Sequence, residues 1–196
     1  MDRIGRRHFL ASVAALSVSA CAGPAKSAGA TQSIDITTAP LGQGEAVATG
    51  WLASRRIKGG QAFGRYRIYE TPVFERVFDR QRLVLNLPDG VLESVFVIIS
   101  SAFADEAEKT FTDVFRQLLA AYGRPARSRE RGRFTRNVAT DLRTGAFRRE
   151  HEWRVPGGDL RLGIPKRIDR QVRVEVHFAR RLALTTQSDW SVDVIR

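Results

Sequence analysis

Phe111, Val114, Phe115, Leu118, Leu119 and Tyr122 recur at i, i+3, i+4, i+7, i+8 and i+11. That spacing puts all of them on one stripe of an α-helix and on neither face of a strand. Asp105, followed three residues later by Glu108, has the pattern of an N-cap with its capping-box partner. Gly123 suits the residue after the last turn, and Pro125 stands where a helix cannot continue. A helix over about 106–122 is therefore expected. Its single apolar stripe requires an apolar surface to lie on.

The flanking segments supply that surface as strands. Arg82 to Leu87, the turn Pro88-Asp89-Gly90 and Val91 to Ile99 are patterned as a β-hairpin, with proline presetting its φ and glycine taking the positive one. The unbroken apolar run Val95 to Ile99 fits a central strand covered on both faces. Arg148 to Arg154, the turn Pro156 to Asp159 and Leu160 to Ile164 form a second hairpin. Gln171 to Phe178 alternates strictly, with Val172, Val174, Val176 and Phe178 opposite Arg173, Glu175 and His177. Gly64 to Glu70 alternates as well, and Asp189 to Ile195 suits an edge strand. Ile34 to Thr37 and Glu45 to Leu52 are weaker strand candidates, and Thr71 to Phe78 fits a short helix or another strand. The expected fold class is α+β: an antiparallel sheet of hairpins with one long amphipathic helix packed on it.

The 196 residues carry a formal charge of +11, and almost all the cations are arginine. Arginine offers a planar fork of donors that matches phosphate and carboxylate, though a GC-rich genome also favours it. A cytosolic chain this basic would point to nucleic acid. The N-terminus directs the reading elsewhere.

Arg3, Arg6 and Arg7 precede a short apolar run from Phe9 to Ala20, too short to span a bilayer. The run Gly5-Arg6-Arg7-His8-Phe9-Leu10 resembles the twin-arginine export signal through Arg6, Arg7, Phe9 and Leu10, and departs from it at Gly5 and Ala11. An ordinary secretory signal is the alternative. Val18-Ser19-Ala20-Cys21 resembles the bacterial lipobox. In that family the cysteine receives a diacylglyceryl group, and a dedicated peptidase cuts just before it. A competing A-x-A-like cleavage site, at Ala20-Cys21-Ala22 or Ala28-Gly29-Ala30, leaves Cys21 without a role. Cys21 is the only cysteine, so it has no internal disulfide partner.

The resemblance implies residues 1–20 as signal peptide, 21–33 as lipidated cysteine and flexible tether, and 34–196 as one domain. Removal of residues 1–20 takes away three arginines and one aspartate and leaves a formal charge of +9. The implied location is the cell envelope, lipid-anchored and facing the periplasm or exterior, which argues against a nucleic-acid partner.

The domain carries no motif for metal, phosphate-loop or nucleophilic chemistry. Only His151 and His177 follow the signal segment, and strand parity puts them on opposite faces. Glu150 and Glu152 share a strand face, where alternation with Arg148 and Arg154 favours ion pairing in solvent over catalysis. The strand–helix–strand order with Tyr122-Gly123-Arg124-Pro125 is similar to small envelope domains of no assigned chemistry. One feature points to a ligand. Arg124, Arg127, Arg129, Arg131, Arg133 and Arg136 crowd a single stretch, read as a loop, where clustered cations attract anions. The expected role is a non-enzymatic binding or structural one, without cofactor or metal. The alternatives are a carrier or sensor of an anionic lipid or glycan, and a hydrolase with an unrecognised site. An acidic envelope protein is a further candidate partner.

Overall fold

The computed structural model describes residues 34–166 and 171–181. The signal-like segment, Cys21, the tether and the edge strand expected at 189–195 lie outside the described residues.

A helix followed by a four-stranded antiparallel meander occurs twice along the chain. The first unit is α1 (Glu45–Ala53), β1 (Gln61–Phe63), β2 (Tyr66–Glu70), β3 (Arg80–Asn86) and β4 (Ser94–Ser101). The second is α2 (Ala104–Tyr122), β5 (Arg127–Arg131), β6 (Arg148–Val155), β7 (Gly158–Gly163) and β8 (Val172–Ala179), with α3 (Val138–Thr144) inserted after β5. The last strands of the two meanders pair, giving one eight-stranded sheet in the order β1-β2-β3-β4-β8-β7-β6-β5. This is the α+β architecture, with every described pairing antiparallel.

Helix α2 lies on one face of the sheet. Ala107, Phe111, Val114 and Leu118 are buried against Val95, Val97 and Ile99 of β4 and Val174 and Val176 of β8. Each large side chain so buried contributes about 1.5–3 kcal/mol. The stripe is turned slightly from its expected phase. Phe115 and Tyr122 pack at its margin, and Leu119 is 38% exposed. The helix also starts earlier. Phe103 is the N-cap residue, and Glu106 takes the role expected of Glu108 by accepting from the backbone N–H groups of Ala102 and Phe103 at 3.2 and 3.3 Å. Asp105 lies in the first turn, where the helix dipole favours a carboxylate.

Four of the expected segments depart from the pattern, and Thr71 to Phe78 is the first: it is neither helix nor strand but a loop with a turn, whose Val73 and Phe74 N–H groups donate to the Gln81 side-chain oxygen. Residues 45–53 form a helix, because Ala48 and Leu52 stand one turn apart and both are buried against the sheet. The Ile34–Thr37 candidate is a short 3-10 turn at Ile36–Thr38, held by Asp35 accepting from the Thr37 N–H. The arginine-rich stretch is a strand over Arg127–Arg131, since β6 offers it a complementary row of carboxylates.

The second face of the sheet is divided. Val84, Phe96 and Ile98 form a small apolar cluster with Tyr66 and Ile68 on one side. On the other side, β5 to β8 present alternating arginines and glutamates.

Candidate functional site

Register places Arg127 and Arg129 of β5 opposite Glu152 and Glu150 of β6, and Glu152 opposite Arg161 of β7. The cross-strand pairs follow. Arg127 reaches Glu152 at 3.7 Å and Arg129 reaches Glu150 at 3.4 Å. Arg148 contributes a 2.6 Å contact to Glu150, and Arg161 bridges both carboxylates at 3.2 and 3.0 Å. Glu150 and Arg161 are 4% and 2% exposed, so this is a buried ionic layer and not the solvated face expected of the pair. Burial pushes the Glu150 carboxyl upward, but the Arg148 hydrogen bond and the charges of Arg148 and Arg161 outweigh it and hold the group below its usual range. The alternation of charges that looked solvent-facing is here a means of packing one strand against the next.

The remaining arginines of the stretch are in a different state. Arg124, Arg131, Arg133 and Arg136 are exposed, and none has a carboxylate partner among the described residues. They follow one another around the edge strand and the turn into α3, giving that corner uncompensated positive charge.

The two histidines lie on opposite faces. His151 sits on the helix side under Phe115, with ring centroids 4.4 Å apart, and its Nδ1 is 2.9 Å from the Ser128 hydroxyl. Burial lowers its pKa, so the ring is neutral at pH 7. Glu130 stands 3.8 Å from Nε2 and at the same distance from Arg149. A serine, a histidine and a carboxylate thus approach one another, a grouping that sequence motifs could not reveal. That carboxylate is beyond hydrogen-bond range and shared with an arginine, and the ring is enclosed by Phe111, Phe115 and Trp153. This is the arrangement of a packed clip between β5 and β6. His177 stacks on Phe96 with centroids 4.0 Å apart, and burial together with the charge of Arg161 lowers its pKa to about 3. No set of three metal-ligating side chains occurs among the described residues.

Two of the cavities lined by the described residues bear on function. One, of about 600 Å³, lies at the end of the second sheet face, lined by Asn86, Ser94, Phe96, His177 and Arg180. Its wall is fixed by Gly42, whose φ is +82° and where a Cβ would come within 2.2 Å of the Arg180 guanidinium. Arg180 in turn donates to the Leu41 carbonyl at 2.9 Å. The other, of about 510 Å³, lies between the start of α2 and the segment leading into α3. Phe103, Phe134, Val138 and Val172 give it apolar walls, and Asp105, Glu108 and Arg136 also line it. Arg136 therefore belongs both to the basic corner and to a cavity. The sequence showed the charge but not the cavity, whose walls come from segments about thirty or more residues apart.

Comparison with models of known protein families, with curated proteins and with solved structures yields no match.

Proposed function

We propose that this chain is a lipid-anchored protein of a bacterial cell envelope with a non-enzymatic binding role. Its domain holds an anionic envelope component on the basic corner. The signal-like segment and the lone Cys21 support the anchor. The observation that carries the binding role is the division of labour among six arginines. Arg127 and Arg129 direct their charge to Glu152 and Glu150, whereas Arg124, Arg131, Arg133 and Arg136 are exposed without carboxylate partners among the described residues. Clustered guanidinium groups of this kind attract phosphate and carboxylate and lose that attraction in salt.

The anchor is tested by Cys21→Ser, which moves the protein from the membrane fraction to the soluble fraction; retention in the membrane contradicts it. The ligand surface is tested with vesicles of phosphatidylglycerol and phosphatidylcholine. The Cys21→Ser protein binds the anionic vesicles in a salt-sensitive manner, and replacing Arg124, Arg131 and Arg133 together by Gln abolishes that binding. Undiminished binding by the triple variant assigns the attraction to some other surface.

A further inference from the structure

The cavity at the start of α2 combines features that the basic corner alone does not have. Three charged side chains line it: Asp105 and Glu108 from the first turns of α2, and Arg136 from the segment before α3. Among the described residues none of the three side chains takes part in an ion pair or hydrogen bond, with each other or with anything else. Opposite charges therefore face one space without neutralising each other. Between them the lining is apolar, through Phe103, Phe134, Val138 and Val172. Phe103 is 65% exposed, an apolar surface that water meets at a cost unless something covers it. A volume of about 510 Å³ is within the range that encloses one small organic molecule.

A ligand that answers all of these groups has an anion, a cation and an apolar chain. We infer that the cavity takes a single-chain zwitterionic phospholipid, with its phosphate at Arg136, its ammonium at Asp105 and Glu108, and its acyl chain along Phe103, Phe134 and Val138. A purely anionic amphiphile fits less well, because its head group would share the space with two carboxylates. A purely cationic one would meet Arg136. This inference rests on the proposed envelope-binding role and specifies a second, more selective site beside the basic corner.

The test uses the full-length protein carrying Cys21→Ser, purified free of lipid, and three probes: lysophosphatidylethanolamine, lysophosphatidylglycerol and chain-free phosphoethanolamine. Titration calorimetry below the micellar concentration gives one site for lysophosphatidylethanolamine, with affinity about tenfold above that for lysophosphatidylglycerol. Phosphoethanolamine binds at least about tenfold more weakly than the lipid, because it leaves the apolar walls uncovered. Asp105→Asn with Glu108→Gln removes the preference between the two lipids, and Arg136→Gln weakens both. These are exposed positions, so the variants fold, which circular dichroism verifies. Equal affinity for the two lipids, an unchanged preference in the Asp105/Glu108 variant, or equal affinity for phosphoethanolamine overturns the inference. The basic corner is judged separately by the Arg124/Arg131/Arg133 variant, which leaves all the cavity's charges in place. Loss of vesicle binding there, with no lipid preference here, retains the corner and rejects the cavity.

Discussion

Trp153 donates its indole N–H to the carbonyl oxygen of Gly123 across 2.9 Å. The donor is on β6, 2% exposed, and the acceptor is the residue at which α2 ends. One hydrogen bond therefore fixes where the helix leaves the sheet and satisfies a carbonyl at a helix terminus that has no partner within the helix.

Gly123 has φ 73° and ψ −158°, a backbone region that is essentially glycine's alone. Apart from the adjoining backbone, no atom lies within 4 Å of where its Cβ would be, so a substitution there meets no obstacle from the rest of the fold. Gly123→Ala thus isolates the backbone cost, expected at about 1–3 kcal/mol in urea unfolding. Trp153→Phe removes this hydrogen bond from a carbonyl that water can reach, which costs about 0.5–1.5 kcal/mol, and the smaller ring adds to that. A neutral Gly123→Ala would mean that the chain leaves α2 by another conformation in solution.

The phase of α2 gives a second prediction. Leu118 is buried and Leu119, its neighbour in sequence, is 38% exposed. Leu118→Ala is expected to cost about 2–5 kcal/mol, and Leu119→Ala distinctly less. Arg116, which pairs at 3.4 Å with Asp113 on the helix surface, changes stability by no more than about 0.5 kcal/mol when replaced by Ala. Comparable losses at 118 and 119 would show the helix to be rotated from the observed phase.

The ionic layer gives a third. Glu150 receives Arg129, Arg148 and Arg161, and the last of these is almost wholly buried. Glu150→Ala leaves a buried guanidinium with one carboxylate fewer, and breaking such a pair costs about 3–5 kcal/mol. Glu130, more than half exposed and with both its cationic contacts at 3.8 Å, costs less than about 1 kcal/mol on replacement by Ala. Equal effects in denaturant melts would contradict the burial of the layer.

These contrasts also explain which parts of the fold were legible in sequence. Helix α2 was legible because its apolar residues keep a 3.6-residue period over three turns. Its exact start was not, because Asp105 and Glu106 are both good first-turn residues and only the geometry assigns the reciprocal contact to Glu106. Helix α1 was missed because apolar residues surround it, from Ala46 to Leu52, with Gly50 in its last turns. Strand β5 was missed because Arg-Ser-Arg-Glu-Arg has no apolar face; its pairing is set by Glu150 and Glu152, about twenty residues later. Glu150 and Glu152 are expected in solvent because strand alternation normally opposes apolar and wet faces. Here Glu150 and Arg161 are buried on the second face as well, and they are satisfied by charge pairing. The cavity beside α2 has no local signal at all, since its charges come from two segments that meet only in the fold.

The last prediction concerns acid. Burial and the nearby Arg161 lower the His177 pKa to about 3, and burial lowers that of His151. An unfolded chain returns both to the ordinary value of 6.5. Below that pH the unfolded chain binds protons that the folded one refuses, so stability falls as pH falls. The loss for each histidine is at most about 1.4 kcal/mol per pH unit, continuing toward its folded value. Asp35 and Glu150 behave as carboxylates held below their ordinary values of 3.8 and 4.5. Their stabilising contribution is full above those values and is lost only on further acidification. The window from about pH 6.5 to 5 therefore belongs to the histidines. Urea unfolding across that window should show stability declining in the wild type and a shallower decline in His177→Gln, where the Phe96 stack is lost but no proton is refused. A slope unchanged by both His177→Gln and His151→Gln would mean that the folded protein accepts those protons, and that neither ring is as deeply enclosed as Phe96 and Phe115 make it.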